Sequence, residues 1–238
     1  MKGTLHMKPT SPIRKEKLKH GIFITFEGVE GAGKTTQAQL LAAALGTDVV
    51  RTREPGGTPV AERIRDIFLT SDGITTMTEL LLLAAARAQH VGELIRPALQ
   101  ENKIVICDRF TDATIAYQGY RGGIDLELIH HLNRVATGGL TPDITFILDL
   151  PPEIGLQRQQ TGETHRDRLD REPLELHRKV REGYLSAAKA DPDRVKLIDA
   201  TQSPDAVHAA ILTELGLTQT GDESPYYKHK YLGNTRVS

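Results

Sequence analysis

The chain has 238 residues, 39% of them hydrophobic, which is enough for one α/β domain with a core of its own. Its formal net charge is −1, so the bulk charge gives no reason to expect nucleic-acid binding. One cysteine, Cys107, cannot close an internal disulfide, and no apolar run approaches the roughly 18 residues that span a bilayer. A cytoplasmic protein with neither a nucleic-acid nor a membrane partner is expected, and no His/Cys/carboxylate spacing resembles a zinc site.

Residues 1–20 carry six Lys/Arg and a single acid, Glu16, with no apolar stretch. They are expected to form a disordered basic extension, not a secretory signal; an organelle transit peptide is the minority reading. The apolar run Ile22–Glu27 then reads as a strand, followed by the glycine-rich stretch 28–36 and a helix over 36–45. Further strands are expected at Asp48–Thr52, Ile104–Asp108, Ile144–Leu150 and Val195–Asp199, with Cys107 as a small buried strand residue. Helices are expected around 59–69, 76–101, 125–137, 152–160, 172–190 and 204–215, the last opened by Ser203 and Pro204. Strands that are apolar at their centres and separated by helices specify a five-stranded parallel sheet covered on both faces. The domain spans 21–216, and residues 217–238 turn polar and aperiodic as a tail.

In such a fold, ligands bind at the C-terminal ends of the strands, where the unusual residues of this chain lie. Gly28-Val29-Glu30-Gly31-Ala32-Gly33-Lys34-Thr35-Thr36 fits G-x-x-x-x-G-K-[ST] between a strand and a helix. Its backbone N–H groups and the helix N-terminus suit a phosphate chain such as that of ATP. Lys34 supplies a point charge to the β/γ-phosphates, and the Thr35 hydroxyl is a candidate Mg²⁺ ligand. Phosphoryl transfer needs a second anion held in line, hence further cations. Arg53, Arg87 and Arg109 come from three separate elements, and Arg109 directly follows an apolar strand and Asp108. Arginine grips phosphate oxygens through two donors at once. The stretch of about 158–171 holds Arg158, Arg166, Arg168 and Arg171 with almost no apolar residues. It reads as a lid that lends a catalytic arginine, Arg166 or Arg168, to the transferring group.

Phe26 to Thr36, Thr52 to Thr58, Ala85-Ala86-Arg87, Asp108-Arg109-Phe110 and Ala116-Tyr117-Gln118-Gly119 stand in an order and spacing similar to those of bacterial thymidylate kinases, over roughly residues 20–216. The resemblance implies a three-layer P-loop kinase fold with a short lid, transfer of the ATP γ-phosphoryl to dTMP with Mg²⁺, and a homodimer with the helix around 76–101 in its interface. It assigns the sugar 3′-OH to Glu30 and the dTMP phosphate to Arg53, Arg87 and Arg109. Thr114 and Gln118 would face the base, Tyr117 the sugar, and Asp108 would organise Mg²⁺ and its waters. The phosphate loop has no basic residue at its variable positions, as in the subtype whose catalytic arginine comes from the lid. One position departs from the pattern: Leu83 stands where the family usually has a phenylalanine stacked on thymine. The alternatives are a P-loop kinase for another nucleoside monophosphate and a non-catalytic nucleotide-binding module. A GTPase is set aside, because Asn102-Lys103-Ile104-Val105 has Val where a guanine reader needs Asp.

Overall fold

In the chain's computed structural model, five strands alternate with helices; residues 21–46, 48–161 and 172–217 are described. The strands are β1 (Ile22–Glu27), β2 (Val49–Arg53), β3 (Ile104–Asp108), β4 (Ile144–Asp149) and β5 (Val195–Asp199). They form one parallel sheet in the order β2-β3-β1-β4-β5. The chain runs outward from β1 on one side and returns across it to β4, so the order reverses beside β1 and leaves a crevice at the C-terminal ends.

β1 shows why the strands read as continuous apolar runs. Ile22, Ile24 and Phe26 pack into one core with the helix after the phosphate loop, whereas Phe23 points into a second core with Val91 and Ile95. β3 alternates likewise, with Ile106 in the first core and Val105 and Cys107 in the second. A strand buried on both faces takes a polar residue only where a partner meets it, as Thr25 of β1 meets the Thr145 hydroxyl of β4 at 2.7 Å. Cys107 is fully buried, as expected of a strand residue.

The helices are α1 (Lys34–Leu45), α2 (Pro59–Thr70), α3 (Thr76–His90), α4 (Arg96–Gln100), α5 (Thr111–Thr114), α6 (Leu126–Thr137), α7 (Pro152–Thr161), α8 (Leu174–Ala190) and α9 (Pro204–Glu214). Thr58 and Ser203 cap α2 and α9 through Ala61 N and Ala206 N, each with a proline in the first turn. The helix expected over 76–101 is interrupted by a π-helical turn, Val91–Ile95, between α3 and α4. Pro97 has no N–H and its ring would crowd the carbonyl four residues back; the wider turn lets Arg96 N reach Val91 O instead.

A second π-helical stretch, Ile115–Arg121, continues α5 and was not expected from the sequence. There Gly122 N donates to Tyr117 O at 2.9 Å, five residues back, so apolar side chains do not recur at the 3.6-residue period. β2 runs one residue further than expected, because Arg53 remains in register with Asp108. The expected N-terminal extension, most of the polar tail, and Arg166, Arg168 and Arg171 of the expected lid lie outside the described residues. Among the described residues, no helix is long and apolar enough to cross a membrane.

Candidate active site

The phosphate loop enters α1 through Gly33, whose left-handed backbone (φ 91°) offers no side-chain cap, so the first helical N–H groups face outward toward an anion. Lys34 is buried and folds back along the loop, donating to Gly28 O (3.1 Å) and Val29 O (2.8 Å). Burial, and then the neighbouring Arg109, lower its pKa to about 8. The Thr35 hydroxyl donates to Asp108 Oδ2 at 2.5 Å, so the two candidate Mg²⁺ residues meet across α1 and β3. A hydroxyl and one carboxylate are hard oxygen donors, a set that suits a Mg²⁺ ion otherwise bound by phosphates and water. Among the described residues, no three His, Cys, Asp or Glu side chains gather into a cage for a softer metal.

Arg109 follows β3 with φ +70°, a conformation that side-chain-bearing residues rarely adopt. Its guanidinium meets Glu30 Oε1 (3.0 Å), Tyr117 Oη (3.0 Å) and Tyr184 Oη (3.2 Å), and lies 4.9 Å from the Tyr117 ring centre. The Tyr117 hydroxyl also donates to Glu30 Oε1. Burial alone would push the Glu30 carboxyl up, but His177, Arg109 and Lys34 together hold it well below the usual carboxylate range. The His177 Nδ1 atom stands 3.5 Å from Glu30 Oε2, and that contact raises the pKa of the imidazole.

Beside this cluster opens a cleft in which apolar walls meet a few converging polar groups, the usual make-up of a small-molecule site. Glu30, Arg109 and Tyr117 line the end next to the phosphate loop; Leu83, Arg87, Thr114 and Gln118 line the other. Arg87 is buried and held on every side. It donates to Glu54 Oε2 (2.7 Å), Asn133 Oδ1 (2.6 Å), Phe110 O (3.0 Å) and Thr114 Oγ1 (3.0 Å). Gln118 donates from Nε2 to Glu79 Oε2 (2.9 Å), which leaves its buried Oε1 without a partner at the cleft. Arg53 stands outside the lining, half exposed and paired with Glu62 Oε2 at 2.9 Å. The structure therefore brings Arg109 and Glu30 together at one end of the cleft and Arg87 with Leu83 at the other.

Several site residues were not singled out from the sequence. Phe68 and Leu69 of α2 form an apolar wall beside Leu83. Phe68 carried a signal as one of only 5 phenylalanines in the chain. His177 shares a buried helical stripe with Val180 and Tyr184, so a polar residue at that spacing was legible as an internal one. Glu27, the last residue of β1, reads in the sequence as a strand terminus.

The family model described as thymidylate kinase matches residues 26–211. A thymidylate kinase from Geotalea uraniireducens (strain Rf4) is 52% identical over 201 residues, which cover 80% of this chain and 94% of that protein. One from Thermomicrobium roseum is 49% identical over 207 residues, covering 85% and 99% respectively. The crystal structure of thymidylate kinase from Ehrlichia chaffeensis matches with a TM-score of 0.68 and 39% identity, over 82% of this chain and 99% of that one.

Proposed function

The chain belongs to the thymidylate kinase family, and from that premise we propose that ATP lies on the phosphate loop and dTMP in the neighbouring cleft, so that the γ-phosphoryl passes between them to give dTDP and ADP. The enzyme is a dTMP kinase and serves the supply of dTTP. The observation that carries the site assignment is the position of Arg109. Its guanidinium reaches the Gly28 carbonyl of the phosphate loop at 3.5 Å and also lines the cleft. A cation there faces both phosphate groups at once, and positioning with charge neutralisation is most of what phosphoryl transfer needs.

Lys34 offsets the charge that develops on the transferring phosphoryl. Arg109 holds the acceptor phosphate, and Glu30, fixed as a carboxylate, accepts from the sugar hydroxyl. Arg87 belongs to the base end of the cleft, since its partners Glu54, Asn133, Phe110 and Thr114 all lie outside the phosphate loop. The unpaired Gln118 Oε1 is an acceptor for the N–H of a pyrimidine ring. Thr35 and Asp108 would hold Mg²⁺, which when bound would add to the neutralisation of the phosphates.

We further propose a cytoplasmic homodimer. α2, α3 and α6 pack side by side and leave Ile67, Leu81 and Val135 at 49%, 52% and 65% exposure, a patch that a second copy would cover. A monomer mass in light scattering at micromolar concentration sinks the dimer.

The activity is tested by ADP release from ATP and Mg²⁺ with a panel of nucleoside monophosphates. dTMP is expected to be the preferred acceptor. A different preferred monophosphate overturns the base assignment, and no acceptor at all overturns the site.

A further inference from the structure

We propose that Glu27 is a positioning residue whose carboxyl holds the turn at Arg109 through the Phe110 amide and the Arg109 guanidinium through the Tyr184 hydroxyl, and so aims Arg109 at the acceptor phosphate. Glu27 closes β1 and is fully buried. Its Oε1 accepts from Phe110 N at 2.7 Å and from Ala113 N at 3.3 Å. Arg109 N itself donates to Phe26 O at 2.9 Å. Two consecutive residues of β1 thus hold two consecutive amides of the turn in which Arg109 takes its left-handed conformation. α5 begins at this turn, and Phe110 at its start makes no side-chain cap of its own, so the Glu27 carboxyl takes that place.

The other oxygen reaches the far end of the same residue. Glu27 Oε2 accepts from the Tyr184 hydroxyl at 3.0 Å, and the Tyr184 oxygen in turn accepts from Arg109 Nη1 at 3.2 Å. An apolar residue at this position would leave two amides and the proton of the Tyr184 hydroxyl without an acceptor in a dry interior. Burial and the nearby Asp112 raise the carboxyl pKa to about 7 against the opposing pull of Arg109, Phe110 N and Tyr184, so the group is kept at this position despite an adverse environment.

The inference rests on the reading of Arg109 as the ligand of the acceptor phosphate. It is tested by measuring KM for dTMP and for ATP separately in Glu27→Ala, Glu27→Gln and Arg109→Ala. Glu27→Ala is expected to raise the dTMP KM about tenfold, the order expected when buried amides lose their acceptor, with the ATP KM within about twofold. Glu27→Gln keeps an acceptor for Phe110 N and is expected to restore the dTMP KM to within about threefold of wild type. If Glu27→Ala does not fold, Glu27→Asp, which withdraws the carboxyl from both amides, takes its place under the same criteria. A parallel rise of both KM values, an unchanged dTMP KM, or a Gln variant as impaired as Ala overturns the inference while the Arg109 reading stands. If Arg109→Ala leaves the dTMP KM unchanged, the reading itself is wrong and the inference falls with it.

Discussion

Gly31 of the phosphate loop and Gly155 of α7 meet backbone to backbone: a Cβ on Gly31 would stand 2.2 Å from Gly155 O, and a Cβ on Gly155 would stand 2.2 Å from Glu30 O. Neither partner is a flexible side chain, so the backbone itself must give way. Gly155→Ala is therefore expected to displace the loop and the Glu30 carboxylate with it. The expected fall in kcat/KM is at least tenfold, since about 1 Å of misplacement can cost 10²-fold. Unchanged kinetics with a normal melting temperature would show that α7 can retreat instead.

Lys34 combines a functional role with a poor environment. Its folded pKa, about 8, lies below the ordinary value of 10.5. Stability from this group is thus present above 10.5 and lost as pH falls through 8, so at pH 7 the charged amine weighs against the fold. Lys34→Met is expected to lower kcat by about 10²–10³ or more. Its melting temperature at pH 7 should not fall below that of wild type. A clear drop in melting temperature would mean that the bonds to Gly28 O and Val29 O outweigh the burial.

Leu83 sits at the base end of the cleft, and Phe68 and Leu69 stand beside it. Leu83→Phe is expected to tighten dTMP binding about threefold to tenfold, from the 0.5–1.5 kcal/mol that ring contacts add to area burial. Phe68→Leu is expected to loosen it by a similar factor. Calorimetric dissociation constants decide the matter. Weaker binding by Leu83→Phe with an unchanged melting temperature would show that Phe68 already fills the space a second ring needs.

Glu27 makes stability depend on pH with a definite sign. In the unfolded chain it ionises near 4.5, and in the fold near 7, with Asp112, Arg109, Tyr184 and Lys34 as the titratable and charged groups around it. The folded protein holds the additional proton between these values. The stability this provides is complete below 4.5 and is lost as pH rises through 7, by on the order of 3 kcal/mol. Glu27→Gln has no such loss. The melting temperature of the Gln variant relative to wild type should therefore climb between pH 5 and pH 8.5. His177 titrates in both proteins and drops out of the difference. A flat difference would mean that Glu27 stays ionised throughout.

The sheet and the phosphate loop were legible because each has a local cause. A strand buried on both faces must be an apolar run, and β1 and β3 are such runs; a loop that wraps phosphate must place its glycines at fixed intervals. Residues whose roles depend on distant partners were less legible. Arg53 and Arg87 looked alike in the sequence. Arg53 pairs with Glu62 outside the cleft, and Arg87 is enclosed by Glu54, Asn133, Phe110 and Thr114 from elements far apart in the chain. The left-handed turn at Arg109 was hidden for another reason: sequence marks such turns by glycine, and here the neighbouring strand β1 holds an arginine in one.

The wide turn at Ile115–Arg121 carries Tyr117 against Glu30 and Gln118 against Glu79. Each residue of an ordinary helix advances by about 100°. Removing one residue from this stretch would restore the ordinary winding and improve the backbone bonds, while turning the side chains of the wide turn itself, Tyr117 and Gln118 among them, off their present directions. Part of the cleft is thus encoded as a count of residues. A single deletion here should damage dTMP binding more than replacing Tyr117 by Phe or Gln118 by Glu, each of which leaves the wide turn intact.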